Sequence, residues 1–238
     1  MIMLRRFLIL AVVACITVPA LVGQSAEMTV EEAYLQEAME LMIIRETSRS
    51  SDREQKLIAL EYIGGALERG STNEEIRTTL ELLSLEGTQN QARERGRLRN
   101  DFPEVRREAA RYLGIMGTSE ARAALIRITT IEGEPMVLQE AVKSLGSIEL
   151  EDSEGAVAAI VWVANRFNNS ASPDNLLALS TVDALERIAE RNSGLQDPGA
   201  FQVLVRIAEG PFISPVRERA RQALINLRRY TAQGQRRQ

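Results

Sequence analysis

The 238-residue sequence has no histidine, one cysteine (Cys15), and an aromatic content of 4%. Without histidine, a Ser/His/Asp triad, a His-ligated zinc site and an imidazole general base are all excluded. Cys15 lies in a segment that we expect to be removed, so no disulfide or thiolate would serve the remaining chain. Abundant Ala, Leu, Ile, Glu and Arg favour helices, and the shortage of aromatic residues disfavours sheets.

The first 25 residues have the pattern of an export signal. Two arginines precede the uncharged apolar run Phe7–Gly23, and polar residues follow it. This pattern predicts a signal peptide over residues 1–25, cleaved after Ser25 or Ala26, and a periplasmic or secreted protein. The alternatives are an N-terminal membrane anchor, because the run approaches the length of a span, and lipidation at Cys15.

The net charge limits the classes of partner. The formal charge of −4 becomes −6 when Arg5 and Arg6 are removed, because 27 basic residues then stand against 33 acidic ones. A moderately acidic chain has no overall attraction to nucleic acid or anionic lipid. We therefore predict no nucleic-acid partner and no membrane span in the mature chain.

A short motif recurs five times along the chain. Each copy has an alanine, an aliphatic residue four positions later, and then a small or apolar residue. The copies are Ala59–Ile63–Gly64, Ala109–Leu113–Gly114, Ala141–Leu145–Gly146, Ala184–Ile188–Ala189 and Ala220–Leu224–Ile225. Pro103, Pro135 and Pro215 precede three copies, and a proline is tolerated in the first turn of a helix. The motif therefore predicts five helices that approach their neighbours closely.

A second amphipathic helix follows each of the first four copies. Their predicted N-caps are one of Ser71, Thr72 and Asn73, then Thr118 or Ser119, then Asp152 or Ser153, and finally Asp197 before Pro198. Helix pairs at a period near 40 residues, with this pattern in the first helix, resemble HEAT repeats. The resemblance covers about residues 52–230 and is strongest over Pro103–Gly146. It implies an all-α, right-handed solenoid of stacked antiparallel helix pairs, similar to HEAT and armadillo proteins, whose second helices line a concave surface.

The remaining segments fit a capped stack. Residues 26–51 are expected to form an N-terminal cap helix, and Arg217–Arg229 a helix that closes the other end, since repeat stacks need capped ends. Residues 88–101 form a basic insert between the first two pairs. Residues 231–238 are expected to be a disordered basic tail.

The insert carries Arg93, Arg95, Arg97 and Arg99. A charge run of this kind is either a solvated loop or a docking patch for an acidic partner, because the arginine fork pairs carboxylates bidentately. Acidic residues gather from Glu132 to Glu154, so head-to-tail self-association is a further possibility.

The second helices carry the other candidate partner-binding residues, chosen because Trp and Arg dominate binding hot spots. These candidates are Arg122, Arg127, Trp162, Asn165, Arg166 and Arg206. Trp162 has apolar neighbours and could equally lie in the core.

These observations predict a non-catalytic scaffold or adaptor that binds a protein partner in the bacterial envelope, with no cofactor and no metal. Paired carboxylates such as Glu31 and Glu32 lie in first turns of helices, where they complement the helix dipole. Two alternatives remain: an accessory subunit or regulator of an envelope enzyme, and a lyase-like HEAT enzyme with unrecognised carboxylate chemistry.

Overall fold

The computed structural model describes residues 30–89, 91–149, 152–167 and 173–235. The predicted signal peptide, Cys15 and the cleavage positions lie outside the described residues. The chain divides after Ala38 into a unit of residues 1–38 and a unit of residues 39–238. The packing described below is that of the second unit.

The described residues form ten helices and two short strands. The helices are α1 Val30–Arg49, α2 Arg53–Glu68, α3 Glu74–Ser84, α4 Pro103–Met116, α5 Ser119–Ile131, α6 Pro135–Ser147, α7 Glu154–Phe167, α8 Asn175–Arg191, α9 Pro198–Glu209 and α10 Ser214–Gln235. The strands are β1 Arg93–Glu94 and β2 Arg97–Leu98, which lie between α3 and α4.

The helices from α2 onward pack in two layers. In the first layer α2, α4, α6, α8 and α10 contact one another in series, and these are the five helices that carry the repeated motif. In the second layer α3, α5, α7 and α9 do the same. This arrangement confirms the predicted all-α stack of helix pairs.

Side-chain caps and prolines set the helix starts. The side chains of Asn73, Thr118 and Asp197 accept hydrogen bonds from backbone N–H groups in the first turns of α3, α5 and α9, as the sequence predicts. Pro103 and Pro135 stand at the first positions of α4 and α6, where no backbone N–H is needed.

Glycines let the first-layer helices approach closely. A Cβ atom on Gly114 would lie 2.6 Å from the Cβ of Ser144 in α6, and one on Gly146 would lie 2.6 Å from the Cα of Ala184 in α8. Ala189 takes the equivalent place in α8 and is buried. In α10 the equivalent residue is Ile225, which is 53% exposed because the described chain has no further first-layer helix to cover it.

Within the second unit, residues 39–49 of α1 pack on the start of the stack. Ile44 is fully buried. The Arg45 guanidinium donates to both carboxylate oxygens of Glu75, at 2.7 and 2.9 Å. The ammonium of Lys56 donates to the carbonyl of Ser48 at 2.9 Å. These contacts support a capping role for this part of α1.

Two segments differ from the sequence-based expectation. Helix α10 continues to Gln235, so residues 231–235 are helical where a disordered tail was expected. No proline interrupts the turns after Arg229, and the Thr231 hydroxyl donates to the carbonyl of Leu227. The basic insert contains a hairpin, described below. Among the residues described, none of the helices combines the length and apolar character that crossing a bilayer requires.

Candidate functional site

The outward face of the second layer carries a row of equivalent residues. Each second helix has two buried aliphatic residues three positions apart: Leu80 and Leu83, Leu125 and Ile128, Ile160 and Val163, Leu204 and Ile207. The residue just before the later member of each pair points outward, because it lies on the opposite side of the helix. These residues, here called the outer row, are Leu82, Arg127, Trp162 and Arg206, and all four are exposed.

Arginines of this face reach back to the preceding second helix. Arg127 pairs with the Glu81 carboxylate of α3 at 2.5 Å. Arg206 donates to the side-chain oxygen of Asn165 in α7 at 2.6 Å. Arg166 donates to the carbonyl of Thr130 in α5 at 3.5 Å. The candidate residues Arg127, Asn165, Arg166 and Arg206 therefore belong to one connected surface.

Trp162 lies on this surface. Its side chain is 41% exposed, so it is not a core residue. The Arg166 guanidinium lies over the indole, 5.0 Å from the ring centroid, which is a cation–π geometry. The indole therefore offers a half-exposed aromatic face between two arginines of the outer row.

Arg122 stands apart from the outer row, at the start of α5. Its guanidinium donates to the backbone carbonyl of Asp152 and lies 3.7 Å from the Asp152 carboxylate. Its side chain is only 18% exposed. We therefore assign it to the junction between α5 and α7.

The four insert arginines lie on a β-hairpin, here called the basic hairpin, which spans residues 91–100. Arg93 pairs with Leu98 and Glu94 with Arg97 across its antiparallel ladder. Arg95 and Gly96 form the two-residue turn, and both have the positive φ, 50° and 80°, that a type I′ turn requires. Arg93, Arg95, Arg97 and Arg99 are all exposed. Sequence reasoning missed the hairpin because Arg-Gly is a much weaker turn signal than Asn-Gly or Asp-Gly.

Buried polar groups anchor the base of the basic hairpin. The Asn100 side chain accepts from the Ala92 N–H at 2.8 Å and donates to the Glu86 carboxylate at 2.7 Å. Glu86 also pairs with the ammonium of Lys56 at 3.0 Å, where both side chains are largely buried. The backbone N–H of Arg99 donates to the carbonyl of Ala92 at 2.8 Å, which extends the pairing of the two strands toward the base of the hairpin. The hairpin is therefore fixed to α2 and to the end of α3.

Arg106 follows the insert in the basic run but is a core residue, with 2% of its side chain exposed. It donates to Glu132 at 2.7 Å and to Asp101 at 2.8 Å. Burial alone would lower the pKa of Arg106, but the hydrogen bonds to Glu132 and Asp101 outweigh it and raise that pKa. Glu132 is itself buried, so it is not part of the acidic surface that self-association would require.

An open groove of about 770 Å³ lies between the turns that precede α7 and α9. Asp152 and Asp197 line it, and each accepts a backbone N–H at the start of its helix. These carboxylates therefore act as caps. In the described parts of the chain, no group of three or more Cys, Asp or Glu side chains is arranged to hold a metal ion.

The family model of HEAT repeats matches residues 96–173. This segment contains α4 to α7, two consecutive helix pairs with the glycine contact between Gly114 and Ser144. The matched segment is therefore similar to HEAT repeats, and the helix pairs on both sides of it continue the same two layers. No curated protein sequence matches the chain.

Proposed function

We propose that this protein is a non-catalytic scaffold or adaptor that binds a protein partner across the outward face of its second helices. HEAT repeats commonly mediate protein–protein interaction. The observation that carries the proposal is the outer row, in which Arg127, Trp162 and Arg206 occupy equivalent positions on three consecutive helices. Arginine and tryptophan are the residue types most enriched at binding hot spots.

The row also favours a particular kind of partner. Packed helices lie about 8–10 Å apart, and a segment in the polyproline II conformation rises about 3.1 Å per residue with three residues per turn. Every third side chain of such a segment lies on one face and would therefore meet the next residue of the row. A segment with carboxylates at the first and seventh positions would pair with Arg127 and Arg206, and an apolar side chain at the fourth would cover Trp162.

The absence of catalysis is part of the proposal. The chain has no histidine, and Asp152 and Asp197 in the groove are already engaged as helix caps. A purified protein that turns over a substrate, and loses that turnover when Asp or Glu residues are substituted, would favour the alternative of an enzyme or enzyme subunit.

Site-specific crosslinking tests the binding face. Residues 26–238 contain no cysteine, so an introduced cysteine carries a crosslinker at one defined position. Ala123→Cys places it on α5, one turn before Arg127, and Lys143→Cys places it on the exposed side of α6. We expect partner crosslinks in cells from position 123, and we expect Trp162→Ala to abolish them. Equal crosslinking from position 143, unchanged by Trp162→Ala, would contradict the proposal.

We also propose that the protein is exported to the periplasm. The basic start and the apolar run Phe7–Gly23 support this location. Cell fractionation and N-terminal sequencing should find a periplasmic species that begins near Ala26 or Glu27. Intact mass of a full-length cytoplasmic protein would contradict export.

A further inference from the structure

The basic hairpin concentrates positive charge on a chain that is negative overall. Residues 91–100 hold four arginines and one glutamate, within a chain of formal charge −4. Glu94 pairs with Arg99 at 3.2 Å, and Arg93 donates to Gln91 and to the carbonyl of Gly96. The side chains of Arg95 and Arg97 make no hydrogen bond or ion pair with any residue that the structure describes. The guanidinium groups of Arg95 and Arg97 are therefore exposed near the tip of the basic hairpin and available to bind a ligand.

The backbone of Arg95 is strained in the turn of the basic hairpin. Arg95 has a φ of 50°, in the left-handed region where residues other than glycine, asparagine and aspartate are uncommon. A turn that served geometry alone would favour one of those residues. Such strain persists where the surroundings enforce it and is concentrated at functional positions. Here the enforcing surroundings are the ladder, Gly96 and the buried anchor at Asn100.

We propose that the basic hairpin is a second docking element, which binds an extended acidic segment of the partner protein through Arg95 and Arg97. This inference rests on the proposed scaffold function and adds a second contact on the same partner. Arg95 lies in the turn and Arg97 begins β2, so only Gly96 separates them and both side chains belong to the tip of the hairpin. Carboxylates on one face of an extended segment recur at every second position, about 7 Å apart, which two neighbouring long arginine side chains can span. Each guanidinium fork can take one carboxylate with two parallel hydrogen bonds.

A protein segment fits the basic hairpin better than a nucleic acid does. Residues 91–100 contain no aromatic side chain on which a base could stack. The negative chain also repels a long polyanion beyond the hairpin itself. A short acidic segment avoids both penalties, because it needs only the local positive charge.

Fluorescence anisotropy with a labelled peptide tests this proposal. The probe is a peptide in which glutamate alternates with serine, and the control probe has glutamine in place of glutamate. We expect the full protein to bind the glutamate probe and not the glutamine probe. Arg95→Gln with Arg97→Gln should weaken binding roughly tenfold and leave helicity unchanged, because both side chains are exposed. Binding should also weaken as salt rises from about 0.05 to about 0.3 M.

The matched control removes the same charge elsewhere. Arg228 and Arg229 are exposed residues of α10, and Arg228→Gln with Arg229→Gln should leave probe binding within about twofold of the unaltered protein. Equal losses in the two double variants would overturn the proposal, because net charge alone would then explain binding.

Three further outcomes would overturn it. The first is unchanged binding in the Arg95→Gln, Arg97→Gln variant. The second is a single-stranded oligonucleotide of equal charge that binds through the hairpin while the glutamate probe does not. The third is self-association in sedimentation that requires Arg95 and Arg97, which would make a second copy the occupant. If crosslinks from position 123 still depend on Trp162 in these cases, the scaffold proposal survives and only the hairpin's role fails.

Discussion

At the residue scale, the charged side chains fall into two groups that look alike in the sequence. Arg106 and Glu132 form a pair with 2% and 3% of their side chains exposed. Arg99 and Glu94 form a pair with 68% and 58% exposed. Water screens the second pair, and exposed pairs are worth about 0–1 kcal/mol. The first pair is screened far less, so losing one partner leaves an uncompensated charge in the core.

Glu132→Ala should therefore destabilise the protein strongly. Arg106 would keep its partner Asp101 but lose the buried carboxylate, and breaking a buried pair costs about 3–5 kcal/mol. Glu94→Ala is the matched control and should cost less than about 1 kcal/mol. Urea unfolding followed by circular dichroism measures both variants. Similar midpoints for the two would show that the Arg106 site tolerates the lost carboxylate by admitting water.

The sequence could not separate Arg106 from the four insert arginines. All of them occur in one basic run, and their number and spacing carry no information about burial. The difference arises from residues distant in the chain, since Glu132 lies 26 positions after Arg106. The sequence also left the burial of Trp162 undecided, because apolar neighbours are as compatible with a core position as with an exposed one. The packing of α7 leaves this residue 41% exposed.

At the element scale, the first-layer helices are positioned by small residues, and the repeated motif predicted this well. Ala59, Ala109, Ala141, Ala184 and Ala220 are all buried to 1% exposure or less. The helix caps and prolines were also predictable, because each affects only the helix start that lies within a few residues of it in the sequence. The basic hairpin was not, because its register depends on the distant anchor between Asn100, Glu86 and Lys56.

Gly146→Ala should destabilise the stack even though alanine is the better helix former. The new Cβ would lie 2.6 Å from the Cα of Ala184, so backbone must move. We expect a net loss of roughly 1–3 kcal/mol, the usual cost of overpacking. Gly65→Ala is the control, because its nearest neighbour is the flexible Arg69 guanidinium at 3.4 Å. That variant should gain up to about 1 kcal/mol. Thermal melts compare the two, and a stabilised Gly146→Ala would contradict the close contact.

Leu113→Ala and Leu145→Ala test the aliphatic position of the motif. Both side chains are buried, at 0% and 1% exposure, between first-layer helices and their partners. Each truncation should cost about 2–5 kcal/mol. Chemical denaturation measures the loss, and the exposed Ile115→Ala in α4 serves as the control, with an effect within about 0.5 kcal/mol. Equal effects at positions 113 and 115 would show that the assigned phase of the repeat is wrong.

At the scale of the whole molecule, each helix pair contacts mainly its neighbours. Stability in such a stack is close to a sum over pairs and their interfaces. Local losses can therefore remain local, so truncation at Leu145 should give an unfolding phase of its own. The end of the stack that carries α1 is held partly by charge, and this makes it sensitive to acid.

Acid should release residues 40–49 before the rest unfolds. The hydrogen bonds from Arg45 hold the pKa of Glu75 below its usual value of about 4.3. Their contribution is therefore present above that value and is lost as the pH falls through the lowered pKa. Hydrogen exchange should show that protection of residues 40–49 falls as the pH is lowered from about 6 through the range below about 4.3.

Glu75→Gln should lower the protection of this segment already at about pH 6. The control Glu61→Gln changes an exposed residue of α2 and should leave it unaltered. Protection of residues 40–49 that does not change with pH in the unaltered protein would mean that other contacts, such as the burial of Ile44 and the Lys56 hydrogen bond to Ser48, hold this part of α1.

The two layers also differ in how they can deform. Glycine contacts such as Gly146 against Ala184 join backbone directly to backbone in the first layer, so its helices cannot move closer together. In the second layer the links include long exposed side chains, such as Arg127 to Glu81 and Arg206 to Asn165, which stretch at little cost. We therefore expect the first layer to resist compression, so that any bending of residues 39–238 changes mainly the distances between Arg127, Trp162 and Arg206. Under the proposed scaffold function, such bending would let the spacing of the outer row follow the curvature of a bound partner.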